Sequence, residues 1–383
     1  MALVGLLVGV GIIMVQSAGQ VTAIAAGGNP LGGVLRQGAY ALIGMSLALV
    51  ISQMSLVKLR RLAWPLLLAG LVLQLLVYTP LGYEAGGNRN WLRLGPISAQ
   101  PAEFMKFVLL LWVSTVLAAK RPLLGKWKHV VIPILPVVAA SMCINVLGGD
   151  LGTLVIIAAL VFGCLYFVQV KWRILGAIAV VAVLGIVLMT LIKPNRVFRV
   201  AQFFEIDCLN DPEHAAGMCW QSLNGFWALA NGGLFGSGIG NSRAKWQWLP
   251  EAETDFIFAI VGEEVGLLGA MTLILVFVAI CIVLVAIMAR CTDVFSVSVM
   301  GGAVAWFGTQ MVVNVSVVLG FVPVLGVPLP FVSAGGTSLI SGLMAVGLVL
   351  ACVRDQAARD QAARDQAALD QAEPAPAQGT SFT

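Results

Sequence analysis

Ten stretches of nearly unbroken apolar residues, each about the length of a bilayer crossing, dominate this sequence. They fall at about 2–18, 38–57, 62–81, 102–119, 130–147, 151–169, 174–192, 256–289, 294–319 and 337–353. A spanning helix needs roughly 20 apolar residues, and in lipid only helices and closed barrels satisfy their own backbone groups. Barrel strands would alternate apolar and polar residues, whereas these runs are continuous. The expectation is an all-α, polytopic integral membrane protein of about ten transmembrane helices. A large extracytoplasmic loop, 193–255, would separate helices 7 and 8, and the spanning unit would cover 1–353. Composition agrees: 60% of the 383 residues are hydrophobic and 10% charged, against about 25% charged in soluble domains. That excludes a water-soluble enzyme, a disordered chain and a fibrous one.

Charge placement predicts orientation. Lys58, Arg60, Arg61, Lys120, Arg121, Lys126, Lys128, Lys171, Arg173 and Arg290 follow even-numbered runs, while the short loops of opposite parity hold Arg36, Arg89 and Arg93. Ten against three places the even loops and both termini in the cytoplasm. A net charge of +4, spread through such clusters, orients a membrane protein and does not suggest nucleic-acid binding. The N-terminus lacks a basic n-region and runs straight into the first span, so no cleavable signal peptide is expected.

Ionisable groups at the edges of apolar runs are the informative residues, since each costs about 2.5–3.5 kcal/mol at the bilayer centre unless partnered. Glu103 and Lys106 open the fourth run one helical turn apart, either as a self-neutralising pair or as a polar face. Asp150, in GGDLGT at 148–153, suits an N-cap. Residues 232–240 read GGLFGSGIG, a stretch free to bend closely, but with no Gly-Lys-Ser/Thr to make it a nucleotide loop. After Asn241, Arg243 and Lys245 comes Asp255, where a polar outer loop meets an apolar helix. It is either an ordinary cap or a carboxylate whose pKa burial raises. Glu263 and Glu264 follow on that helix, about 100° apart, with a structural pairing to Lys106 or an arginine the simpler reading for Glu264. The long run 256–289 is expected to be tilted, kinked or partly outside the bilayer. Residues 320–338, with Pro323, Pro328 and Pro330 and four glycines, cannot form a regular helix. Irregular backbone near a membrane must be buried in protein or line a cavity, so an outer re-entrant segment is expected.

Cys208 and Cys219 share the outer loop, where an oxidising compartment permits a disulfide between them; two free thiols is the other reading. No ligand-pair spacing marks a metal site. From Arg354 the chain repeats RDQAA three times and then LDQAE, with acid-to-base i,i+4 pairs that support an exposed helix. This low-complexity segment, 354–383, reads as a solvated cytoplasmic extension of the last helix.

Four segments together resemble the SEDS family of bacterial cell-wall proteins: NRNWLRLGPISAQPAEFMK at 88–106, GGDLGT at 148–153, GNSRAKWQWLPEAETDFIFAIVGEEVGLLGA at 240–270 and VPLPFVSAGGTS at 327–338. The likeness runs from about the second helix to the tenth, and is nearest to the division branch of actinobacterial kind, with the elongation branch close behind. Two positions depart from the usual pattern: Asn90 stands before Trp91 where an Arg is common, with Arg89 one place earlier, and Ala334 stands where a Tyr is common.

The resemblance implies an inverting peptidoglycan glycosyltransferase that polymerises lipid II at the outer face of a bacterial cytoplasmic membrane. It implies an undecaprenyl-pyrophosphate-linked glycan as donor, Asp255 as general base, and Glu103, Lys106, Arg89, Arg243, Lys245 and Glu263 as candidates for binding substrate. It further implies a divalent cation, Mg²⁺ or Mn²⁺, whose ligands the sequence leaves unknown, and a class B penicillin-binding protein transpeptidase as partner alongside membrane lipids. A lipid-precursor flippase is the alternative from another class, with Glu263 and broken helices forming a path. Against it, flipping needs polar groups down to the cytoplasmic side, whereas the candidate site groups crowd the outer half of the bilayer, and no inverted repeat is visible. A scaffold that only docks a division partner would leave Asp255 replaceable.

Overall fold

The computed structural model describes residues 1–25, 27–85, 88–95, 97–192 and 219–372. The ten apolar runs become ten long helices: α1 (Ala2–Ala25), α2 (Gly32–Gln53), α3 (Leu56–Leu76), α4 (Pro101–Ala119), α5 (Trp127–Leu147), α6 (Leu151–Phe167), α7 (Trp172–Ile192), α9 (Ile257–Met288), α10 (Val294–Val318) and α11 (Gly336–Ala372). Among the described residues, seven of these are long and apolar enough to cross a membrane on length and composition, and α6 and Trp172–Gly185 are shorter apolar helices. An eleventh helix, α8 (Trp220–Gly232), lies within the expected outer loop. Most of the rest of that loop, Cys208 included, falls outside the described residues.

Helix starts follow local chemistry. Asp150 and Asp293 cap α6 and α10, accepting from the backbone amides of Thr153 at 3.0 Å and Ser296 at 3.2 Å. Pro101 opens α4, where its missing N–H costs nothing. The α2–α3 hairpin turns at Met54–Ser55, earlier than the apolar runs suggest. Lys58, Arg60 and Arg61 therefore belong to the first turns of α3 and not to a loop, because long basic side chains bury their stems while the heads reach water.

The core centres on α4, whose Leu109, Leu110, Leu111, Trp112 and Val113 are wholly buried. Lipid offers no hydrophobic drive between helices, so close packing of small residues takes over. Gly44 of α2 meets Leu343 of α11, and Gly347 of α11 lies against the Ala48 carbonyl of α2. Gly163 of α6 meets Gly301 and Ala305 of α10. Outward-facing side chains such as Leu42, Leu68, Leu184 and Ile282 are exposed and apolar, as lipid contact requires.

The one β element among the described residues is small: β1 (Gly82–Ala85), β2 (Asn88–Leu94) and β3 (Ile97–Ala99) form an antiparallel sheet in the order β1-β2-β3. Tyr83 pairs with Trp91, and Leu92 with Ala99. The all-α expectation did not include it, because its strands are too short and mixed to show a period-two pattern. It caps one end of the bundle. The 148–150 turn, the 233–256 segment and the 319–335 segment gather at the same end.

Candidate active site

Asp255 occupies the turn that delivers the chain into α9. Neither of the capping groups expected from sequence is used: Phe256 holds the N-cap position without a side-chain bond, and the Thr254 hydroxyl donates to Glu251 at 2.6 Å. Among the described residues the Asp255 carboxylate has no hydrogen-bond donor and no cation beside it. Burial pushes its pKa from the ordinary carboxylate range up to about 7, and the Glu251 and Asp150 carboxylates push the same way. Burial also raises neighbouring Glu253, with Arg36 pulling it back. A carboxylate whose pKa is raised toward neutral pH thus sits at the end of the bundle where the irregular segments meet.

Asp150 is that region's organiser. Beyond capping α6, its carboxylate accepts from the Thr153 hydroxyl at 2.8 Å, from Asn90 Nδ2 at 3.0 Å and from Gln100 Nε2 at 3.0 Å. It ties the sheet, the start of α4 and the start of α6 together. Arg89, on β2, donates to the Val77 and Thr79 carbonyls at 3.2 Å each, and its backbone amide bonds the Gly148 carbonyl. Its side chain remains exposed at the same end.

The glycine-rich stretch repairs a broken helix. At Gly266 α9 leaves helical geometry, with φ 77° and ψ −175°, a region open essentially to glycine alone. A break frees backbone groups that must find partners. Ser237 and Gly238 amides donate to the Glu263 and Glu264 carbonyls at 2.9 and 3.0 Å, and the Leu267 amide donates to the Gly233 carbonyl at 2.9 Å. Gly236, also at positive φ, packs so closely on the break that a Cβ would strike the Glu264 carbonyl.

Glu263 and Glu264 then hold the following segment. Glu263 accepts from the Ser242 hydroxyl and from the Arg243 and Ala244 amides. Glu264 accepts from Ser17 of α1 at 2.6 Å and pairs with Lys245 at 3.2 Å. The partner of Glu264 is therefore Lys245 and not Lys106 or an arginine. Lys245 also bonds Ser17 and the Gly240 carbonyl. The Arg243 side chain points outward and exposed.

Glu103 and Lys106 pair at 2.7 Å inside the bundle, 2% and 1% exposed. The ammonium is shared with Gln310 Oε1 at 3.2 Å and lies over the Trp306 ring. Thus Asp150 lies near enough to act electrostatically on Asp255, and Arg89 bonds the turn just before Asp150, while Glu103, Lys106, Lys245, Glu263 and Glu264 are enclosed by protein partners. Cys219 is disulfide-bonded; the expected partner, Cys208, lies outside the described residues. No three His, Cys, Asp or Glu side chains gather as metal ligands among the described residues.

Residues that sequence reasoning passed over are Asn314 and Gln310 of α10 and Ser333. Asn314 and Gln310 are buried amides one turn apart in a largely apolar helix, a signal that polar groups inside a membrane carry. Both reach the irregular segment 319–335, which has positive φ at Gly320, Gly326 and Phe331. Gln310 donates to the Pro328 carbonyl at 2.7 Å. Ser333 bonds the Leu329 amide and the Thr254 carbonyl.

The family described as a cell cycle protein, FtsW/RodA/SpoVE, matches residues 1–358. The chain is 31% identical over 356 residues to the probable peptidoglycan glycosyltransferase FtsW of Mycobacterium tuberculosis, covering 93% of this chain and 67% of that protein. It is 33% identical over 348 residues to the Coxiella burnetii protein of the same name, covering 90% and 92%. Its fold is similar to that of the rod shape determining protein RodA of Thermus thermophilus, with a TM-score of 0.67 and 28% identity over 92% of this chain and 95% of that one. A chain from a peptidoglycan synthase complex that coordinates polymerization and crosslinking matches with a TM-score of 0.71, 28% identity and coverage of 92% and 96%.

Proposed function

The chain belongs to the FtsW/RodA/SpoVE family of cell cycle proteins, and from that premise we propose that it is a peptidoglycan glycosyltransferase with Asp255 as its general base. The substrate is lipid II, and the site faces outward from a bacterial cytoplasmic membrane with both chain termini inside. The 4-hydroxyl oxygen of incoming lipid II attacks the anomeric carbon of the lipid-linked strand. That carbon's bond to undecaprenyl pyrophosphate breaks with inversion, and Asp255 takes the hydroxyl proton as the new glycosidic bond forms. A base for this step needs a pKa near the working pH and an open coordination to the proton it removes.

The single observation that carries the reading is the state of Asp255: a carboxylate with a pKa of about 7, spent neither on a cap nor on an ion pair. Of the basic residues the resemblance implies for substrate, Arg89 and Arg243 are exposed and meet pyrophosphate oxygens. Glu103, Lys106, Lys245 and Glu263 are assigned the task of holding the frame. An apolar groove of about 190 Å³ runs between α5, α6 and α7, lined by Val138, Met142, Val146, Leu154 and Ile178 among others. It begins within one helical turn of Asp150 and suits a polyprenyl tail. Mg²⁺ commonly binds through one or two carboxylates plus substrate phosphates, and a divalent cation would offset the pyrophosphate charge here. The partner is a penicillin-binding protein transpeptidase.

Transport is disfavoured by one finding. Glu263, the acid a translocation path would use, has both carboxylate oxygens engaged by the 242–244 segment. The test is strand synthesis from lipid II by the purified chain with its transpeptidase, wild type against Asp255→Asn. Strands from wild type alone are expected. Equal synthesis by the variant would sink the base assignment, and none from either folded protein would revive the transport or scaffold readings.

A further inference from the structure

The turn that carries Asp255 is held through its backbone, and from one side. Three consecutive carbonyls, those of Glu253, Thr254 and Asp255, accept respectively from the Ala334 amide at 2.8 Å, the Ser333 hydroxyl, and Asn314 Nδ2 at 2.8 Å. The Asn314 amide has a second hydrogen, and it goes to the Val327 carbonyl at 2.8 Å. Both partners are acceptors, so the nitrogen must face them; the flipped amide would set oxygen against oxygen. Asn314 is 1% exposed, and among the described residues its buried Oδ1 meets no hydrogen-bond donor. A buried acceptor left unmade costs roughly 1–3 kcal/mol, so this side chain is kept for its donors and not for its own comfort.

The Val327 end of this bridge matters because Gly326 precedes it. Gly326 has φ 72°, and a Cβ there would lie 3.6 Å from Asp255 Oδ2. One amide therefore fixes both the turn that bears the carboxylate and the wall that faces it.

We propose that Asn314 is a positioning residue, which sets the Asp255 carboxylate against the 326–327 wall and so fixes where a substrate hydroxyl must approach. The proposal rests on the reading of Asp255 as base. Asn314 does not touch the reacting atoms; it acts through Asp255. Misplacement of a reacting group by about 1 Å costs on the order of a hundredfold in rate.

The experiment uses the full chain with Asn314→Leu, which keeps the number and branching of side-chain heavy atoms and removes both donors. Strand synthesis is followed with lipid II across a range of concentrations and pH, with thermal melting to establish that the variant is folded. The expected result is a fall in kcat of about tenfold to a hundredfold with KM changed less than about twofold. The acid limb of the rate profile should also move to lower pH as the loosened carboxylate gains water. The charged groups that bear on Asp255 are Glu251 and Asp150, with Glu253 on the same turn. Segment 319–335 and the Gln310–Asn314 face of α10 carry none, so a shift would report position and hydration rather than a lost charge.

Folded variant with unchanged kcat and unchanged profile would overturn the proposal, as would a raised KM at constant kcat. Should Asn314→Leu not fold, Ser333→Ala removes the adjoining clamp on Thr254 by one atom and is read by the same outcomes. Asp255→Asn, run in parallel, separates the two claims. If it retains synthesis the base reading fails, whereas an inactive Asp255→Asn beside a fully active Asn314→Leu overturns positioning alone.

Discussion

Asp255 costs the fold stability. Its pKa is raised to about 7 over an unfolded value near ~3.9, so the folded state holds the proton more tightly between those limits. Stability from this group is then greatest below about pH 4 and declines as pH rises through 7. Asp255→Asn removes that penalty. At pH 8 it should raise stability by roughly 1–3 kcal/mol, a figure reduced from the full shift because the side chain keeps some exposure to water. Thermal melting at pH 8 checks this, and the gain should vanish near pH 4. Synthesis by the wild type should rise through pH 7, since only the ionised carboxylate accepts a proton. The Lys245–Glu264 pair makes the opposite case. Lys245→Met leaves Glu264 charged and buried, and breaking such a pair costs about 3–5 kcal/mol. The double variant with Glu264→Gln should recover much of that, and denaturation of the set would show the coupling. If Lys245→Met instead left stability intact and raised KM, Lys245 would return to the substrate site.

At the scale of elements, the spans were legible because hydrophobicity over some twenty residues needs no knowledge of partners. The break in α9 was legible as well: Gly262, Gly266 and Gly269 within an overlong run announce a kink, and Gly266 makes it. Segment 319–335 was legible from its prolines. What spacing could not reveal was who satisfies whom. Ser17 and Glu264 are 247 residues apart, and no local pattern joins them. The glycine-rich stretch 232–240 gave the right impression of close approach, but its partner is the broken helix and not a phosphate. At the site, Asp150 as a cap could be read from its position. The clamp from Asn314 could not, because its acceptors are backbone carbonyls, which every residue owns. Gly266→Ala tests the repaired break. The conformation there costs a non-glycine residue about 1–3 kcal/mol, and the added Cβ would also run into the Gly236 amide and the Leu234 carbonyl. A loss of at least about 2 kcal/mol is expected, with protease cuts appearing first in 233–240. A variant that melts like wild type would mean the two segments separate without cost.

For the whole molecule, the division of labour between its two ends is the main result. Among the described residues, one end holds the sheet, Asp255 and the irregular segments 233–256 and 319–335. The other holds short turns, the Arg60–Asp293 ion pair at 2.7 Å, and Arg354 bonded to Gln53 and Met54 at the close of α2. From there α11 continues to Ala372, with Asp355 and Arg359 paired at 2.8 Å one turn apart. The proposed function needs this second end, with its excess of basic residues, in the cytoplasm and the carboxylate outside. Trypsin with a C-terminal epitope decides the point, because the repeated tail carries exposed arginines, Arg364 among them, beyond the packed part of α11. Inside-out vesicles should lose a C-terminal epitope to trypsin, while spheroplasts should keep it until they are lysed. Loss from intact spheroplasts would turn the molecule over, leave Asp255 facing the cytoplasm, and remove the ground for an outward-facing polymerase, however well Asp255 is built to accept a proton.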